Sequence, residues 1–326
     1  MKNDCLNVWK GIAAFCVVFI HCKFPSPIGG MMDGLARFAV PLFFMVSGYF
    51  SYGKGMDTVK RRSRHILRLL ITAVIAYYFW ELLVLKTEGS LTMTVVAGKL
   101  FSAKVLLRFL LWNMVPYAPP LWFLGALWYC YLFYGILVRG KKEESCYLLI
   151  ILCLAANLIL GDFCRIAGLR LPVRWFRNFW LTGLPFFLWG HWFAGRMQRG
   201  KRLASDGACL CMIGLGVCLS MGELFLSKGA ELYVGSILMT AGIFMLALRH
   251  PEAGRGSILA RIGEQDSQAI YLWHYLIYNG TPTLALAAGI RETAWYPWLM
   301  PLWVCLVSLG LAEILNALKY RAKRGE

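Results

Sequence analysis

Apolar stretches of about 18 to 22 residues recur along the chain, each long enough to cross the hydrocarbon core of a bilayer as a helix. Glycine and proline inside them do not exclude helices, because neighbouring helices satisfy the freed backbone groups. Of the 326 residues, 59% are hydrophobic and 16% charged, far from soluble-domain usage. The thirteen Trp and fifteen Tyr gather near stretch ends, as interfacial belts require. The fold class expected is an all-α integral membrane protein of approximately ten transmembrane helices. The expected spans are 8–26, 34–52, 66–86, 119–138, 146–164, 178–195, 207–224, 231–248, 267–287 and 296–316. No soluble domain fits in the remainder, so 1–326 is expected as a single membrane domain. The amino terminus lacks a small-residue cleavage motif, so the first segment is expected to be retained.

The formal charge is +17. In such a chain it reads as topology rather than nucleic-acid binding, because Lys and Arg stay in cytoplasmic loops. An even span count places GKGMDTVKRRSRH, RGKKEE, RMQRGKR and KYRAKRG on one side, with both termini cytoplasmic. Residues 163–177, with Arg165, Arg170, Arg174 and Arg177, then face outward, as a folding accident or as a surface for an anionic acceptor. The stretch 87–118 contains LFSAKVLLRFLLWNM. Lys104 and Arg108, four apart, suggest an amphipathic interfacial segment on the outer side. The eleven cysteines show no metal-ligand spacing and read as small buried apolar residues. No metal is expected.

The chemistry concentrates in the first two spans. His21 follows Lys10 by eleven residues, about 16 Å along one helix. Eleven steps of 100° return nearly to the starting angle, so both side chains face one way. A histidine inside an apolar layer lines a polar cavity or an interhelical contact, and imidazole moves protons near neutral pH. Lys10 orients the helix, contacts donor phosphate or anchors at the interface. Arg37 opens the next apolar segment. It is either an outer anchor or a partner for developing negative charge or a nearby carboxylate. Ser47 and Gly48 form a small close-packing patch near the inner end of that segment. Arg61, Arg64 and Arg68 follow i, i+3, i+7 spacing, so a helix presents them together. Their forks match phosphate oxygens of a nucleotide-like cofactor, or lipid headgroups.

Further along, Ser267, Tyr271 and His274 share a helix face, as donor-tunnel lining, a site for acceptor hydroxyls or the setting of a hydrogen-bonded structural histidine. Trp122, in LWFLGALW, serves as a stacking platform for a sugar or as packing. Glu313 is expected to pair with a buried base, and His191 to serve a packing or interfacial role. No Gly-rich phosphate loop, HExxH or GxSxG motif appears, which argues against a soluble-type hydrolase.

KGIAAFCVVFIH resembles the basic residue–ten residues–histidine signature of the membrane acyltransferase-3 family. RFAVPLFFMVSGYF, the most specific match, resembles that family's second-span motif. LWFLGALWYCY and SQAIYLWHYLI resemble later segments in the expected order. The resemblance implies a bacterial plasma- or inner-membrane protein with an acyl-coenzyme A donor on the cytoplasmic side, most readily acetyl-coenzyme A or another short-chain acyl-coenzyme A. It implies transfer to a hydroxyl of a cell-envelope glycan, a lipid-linked sugar or another acceptor at the outer face. His21 is then the catalytic residue, as general base or as an acyl-histidine relay, with Lys10 and Arg37 beside it. Ser47 and the arginines hold the donor. The family's arginine pair falls on Arg61 and Arg64, or includes Arg68, which has His65 three residues before it. The soluble esterase-like domain of many relatives is not expected, so delivery is direct or through a separate envelope-biosynthesis partner. The competing class is a membrane transporter for a small polar solute or amino acid.

Overall fold

The computed structural model describes residues 2–87, 89–90, 92–98, 102–115, 117–140, 142 and 144–324, and among them no strand occurs. Residues 88, 91, 99–101 and 116 of the expected interfacial stretch lie outside the described residues. In chain order the helices are α1 (Asp4–His21), α2 (Ile28–Ala36), α3 (Ala39–Tyr49), α4 (Met56–Thr87), α5 (Met93–Val96) and α6 (Ala103–Trp112). They continue as α7 (Trp122–Gly140), α8 (Leu148–Leu158), α9 (Cys164–Ile166), α10 (Leu184–Gln198) and α11 (Asp206–Ser227). The last four are α12 (Val234–Arg249), α13 (Ile258–Arg261), α14 (Ser267–Ala287) and α15 (Tyr296–Arg324).

The all-α expectation stands, but the count of about ten membrane helices does not. Among the described residues, seven segments are long and apolar enough to cross a membrane. They are Asp4–His21, Ile28–Tyr49, Met56–Thr87, Pro119–Gly140, Glu144–Ile166, Asp206–Ser227 and Tyr296–Ala322. Three expected spans drop out for two physical reasons. The stretch 178–195 is helical through a π turn, Phe179–Gly183, into the 15 residues of α10, but this helix carries Thr182, His191 and Arg196, too polar for a lipid-facing span. The stretch 231–248 becomes α12, 16 residues long. That helix is shorter than the roughly 20 residues a span needs. By contrast α14 has 21 residues but carries Gln268, His274, Asn279, Thr281 and Thr283, too many polar groups for a lipid-facing span. An odd count also removes the basis for placing both termini on one side. The protein is a multi-pass membrane protein, consistent with a plasma or inner membrane.

The basic stretch after the second span is not a loop. It forms the first turns of α4, whose 32 residues extend roughly 48 Å at 1.5 Å per residue. That exceeds a hydrocarbon core of about 30 Å, so the arginines reach beyond the apolar layer on the same rigid helix. Ile71, Ile75, Phe79 and Leu83, four apart along α4, are exposed. Such a stripe suits hydrocarbon and not water.

The chain forms two compact units, Met1–Phe43 with Leu203–Glu326, and Phe44–Arg202. In the first, Ala14 and Val18 of α1 are buried with Ile262, Ile270 of α14 and Val304 and Ala312 of α15. The π-helical turn Ile262–Asp266 lies directly on α1. A Cβ on Gly263 would stand 1.7 Å from the Asn7 carbonyl oxygen, so only glycine admits this backbone contact. In the second unit, α4 packs on α7, and the end of α3 meets α10 equally closely. A Cβ on Gly48 would stand 1.8 Å from the Phe187 carbonyl oxygen, and one on Gly190 1.9 Å from that of Met45. This is the small-residue helix contact that membrane proteins use. Gly48→Val is expected to destabilise the protein by about 3 kcal/mol or more, because backbone rather than a flexible side chain must yield. A fall in the thermal midpoint of the detergent-solubilised protein measures it, and an unchanged midpoint refutes the contact.

Candidate active site

Helix α1 starts cleanly, with the Asn3 side chain accepting from the Leu6 N–H at 2.8 Å. It then runs unbroken to His21. Lys10 and His21 therefore keep their expected spacing along one rigid element. Lys10 is half-buried, with Nζ 3.3 Å from Asn7 Oδ1. The half-buried His21 ring lies 5.3 Å, centroid to centroid, from that of His274 and 5.5 Å from that of Tyr275, edge on. Both partners come from α14, so α1 and α14 together build the histidine site.

His274 is fully buried. Its Nδ1 lies 2.8 Å from the Tyr271 carbonyl oxygen and 3.2 Å from that of Ile270. A carbonyl only accepts, so Nδ1 carries the proton, and a neutral ring then has its lone pair on Nε2. Nε2 is buried and has no hydrogen-bond partner among the described residues. Tyr271 lies beside His274 on α14, with ring centroids 6.2 Å apart, and Ser267, at the start of the same helix, donates to the Gly263 carbonyl at 2.8 Å.

Arg37 follows α2 as its C-cap and sits in a network of four charges. Its guanidinium pairs with Asp33 at 2.7 Å and with Glu231 at 3.0 Å. Asp33 also pairs with Lys23 at 2.7 Å. The side chains of Arg37 and Asp33 are only 12% and 7% exposed, so the two carboxylates offset a charge that water does not. Asp33→Ala leaves a buried cation without one of its carboxylates and is expected to cost about 3–5 kcal/mol. Removing the exposed partner by Lys23→Ala should cost under about 1 kcal/mol. Denaturation of both variants in detergent distinguishes them, and equal small losses would overturn the network's role.

The second unit holds the other expected residues. Arg61, Arg64 and Arg68 are exposed on α4, and Arg64 Nε lies 3.4 Å from the Lys60 carbonyl of its own helix. Ser47, near the end of α3, is half-buried. Its carbonyl accepts from Ser51 Oγ at 2.7 Å. Trp122, at the start of α7, is buried. The Arg177 guanidinium lies 5.7 Å from its ring centroid and the Phe44 ring 6.2 Å away, so packing occupies it.

Several polar residues had no role assigned from sequence. The arginine that turns inward is Arg62, with Nη1 3.0 Å from Ser51 Oγ. Tyr134 donates to the Ser51 carbonyl at 2.8 Å. His191, expected to pack, is buried with Nδ1 2.9 Å from the Tyr147 hydroxyl and Nε2 3.2 Å from that of Tyr134. The Asp33–Arg37 spacing of four was visible in the sequence. Nothing there marked Arg62 among its basic neighbours. Glu313 pairs with Arg261 at 2.7 Å, where both are exposed.

The model of the acyltransferase domain Acyl_transf_3 matches residues 3–316. No curated protein and no solved structure matches the chain. The matched family transfers acyl groups from acyl-coenzyme A to hydroxyls of envelope glycans or lipids. With nearly its whole length matched, the chain belongs to the acyltransferase-3 family and is a membrane acyltransferase.

Proposed function

We propose that the protein transfers a short acyl group, most readily acetyl, from cytoplasmic acetyl-coenzyme A to a hydroxyl of a cell-envelope glycan or lipid-linked sugar, with His21 as general base. The observation that carries this reading is the His21 ring at the end of α1, 5.3 Å from a buried second histidine. His21 takes the proton of the acceptor hydroxyl as its oxygen attacks the thioester carbonyl. The new O–C bond forms, the C–S bond breaks, and the imidazolium returns the proton to the leaving thiolate, so coenzyme A departs as the thiol. Lys10, eleven residues before His21 on α1, orients the helix. Arg37 acts through Asp33 and Glu231, as a positioning residue at the turn between α2 and α3. Tyr271 and His274 line the acceptor or tunnel side, and Trp122 packs within its own unit against Arg177 and Phe44.

On the donor side, Arg61, Arg64 and Arg68 draw in the polyanionic coenzyme, with Ser47 at the end of α3. Residues 1–326 act as a single acyltransferase domain, in keeping with a family match over 3–316. The stretch 87–118 lies along the outer interface. Support for that placement comes from α6, with Leu106, Leu107, Leu110 and Leu111 exposed and Lys104 and Arg108 on the same short helix. Such a face suits the boundary between headgroups and chains.

The test is transfer of label from acetyl-coenzyme A to a membrane-glycan extract by the purified protein in lipid. His21→Ala is expected to lower the rate at least about 100-fold, the usual worth of a general base. Labelled glycan at wild-type rates in the variant would refute the role of His21. Failure of folded wild type with several short acyl donors would refute the donor and acceptor assignment.

A further inference from the structure

Helix α6 is ten residues long and buries none of them. A helix of that length is marginal on its own, so α6 depends on what covers its sides. Its ends are fixed. Ser102 Oγ accepts from the Val105 N–H at 3.4 Å. Asn113, left-handed at the end of the helix, accepts the Phe179 N–H on its Oδ1 at 3.0 Å. Between these ends α6 and α4 stand apart and form the sides of an open groove of about 420 Å³, within the roughly 300–1,000 Å³ of small-molecule sites. Leu67, Leu70 and Val74 of α4 form one wall, and Val105 and Phe109 of α6 the other. Such walls take hydrocarbon in preference to water.

The rim of this groove is cationic. Lys104 and Arg108 stand four apart on α6, one helical step of about 100° from Val105 and Phe109. Trp112 continues their row, and the Arg174 guanidinium lies 5.6 Å from its ring centroid. No Asp or Glu occurs from residue 89 to residue 142, and no carboxylate pairs with Lys104 or Arg108 among the described residues. Like charges four apart on a helix repel, and Arg108 is half-buried, so water screens it on one side only. An anion on this row relieves the repulsion. We propose that the groove between α4 and α6 holds one acyl chain of an anionic phospholipid, with its phosphate on Lys104 and Arg108. A hydrocarbon chain joined to an anionic head matches both the apolar walls and the cationic rim. A guanidinium offers phosphate two parallel N–H bonds, and the chain completes the packing of a short helix. The proposal rests on the placement of α6 at the membrane boundary and is independent of the acyl-transfer chemistry.

Native mass spectrometry of the full chain in detergent, titrated with phosphatidylglycerol or with phosphatidylcholine of the same chains, tests this. Phosphatidylglycerol is expected to bind at least about tenfold more tightly, because each basic residue at headgroup level is worth roughly fivefold. Arg108→Gln should weaken phosphatidylglycerol about fivefold and change phosphatidylcholine by less than about twofold. Val74→Trp fills the groove with an indole and should abolish phosphatidylglycerol binding at concentrations that saturate wild type. Ile136→Trp, an exposed position on α7 outside the groove, should leave binding unchanged. Thermal midpoints of the lipid-free variants near that of wild type separate lost binding from lost folding. Equal affinity of wild type for the two phospholipids would overturn the proposal, as would phosphatidylglycerol binding that ignores both Arg108→Gln and Val74→Trp. A polyprenyl phosphate that takes the site where phosphatidylglycerol does not would overturn the assignment to a phospholipid.

Discussion

A polar group carried into an apolar layer must find its partner inside the protein, since lipid offers none. This constraint orders much of the molecule. Asn157 spends one amide group on the carbonyls of Phe176 and Leu181 and on the Thr182 hydroxyl. His191 uses both ring nitrogens on phenols. Asp33, Glu231, Arg37 and Lys23 join into one network in which opposite charges alternate. The helices supply apolar surface, and these closures decide how the polar interiors of the two units are arranged.

Against that background two arginines differ in kind. Arg37 has as much carboxylate beside it as it needs, so its removal is a question of stability and geometry. Among the described residues Arg62 has a hydrogen bond to Ser51 Oγ but no carboxylate partner. Neutral oxygens orient a guanidinium without cancelling its field, whereas a carboxylate does both. The first arrangement stabilises a turn between helices.

Much of this was legible in the sequence, and the rest was hidden for physical reasons. The placement of Lys10 and His21 on one helix follows from the 3.6-residue period alone, and α1 bears it out. The second-span motif pointed to the family over most of the chain. The span count failed where length or polarity was marginal. The helical stretch Phe179–Gln198 and α14 place polar side chains along otherwise adequate lengths, and α12 stops at 16 residues. Arg62 was hidden for another reason. In KRRSR the side chains that flank it are just as basic, and the hydrogen bond to Ser51, in the turn before α4, selects one of them. In the same way Arg37 has one partner four residues back and another 194 residues on.

The histidine pair shows how such selection bears on chemistry. A lone imidazole in an apolar layer can present either nitrogen, and the wrong tautomer cannot accept the acceptor's proton. On α14 the helix itself removes that freedom for His274, because its own carbonyls hold Nδ1–H. The ring that faces His21 therefore has a fixed dipole, with its lone pair on Nε2. Full burial keeps that ring out of water. Through this fixed neighbour, α14 contributes to the electrostatic setting of His21, the base proposed on α1.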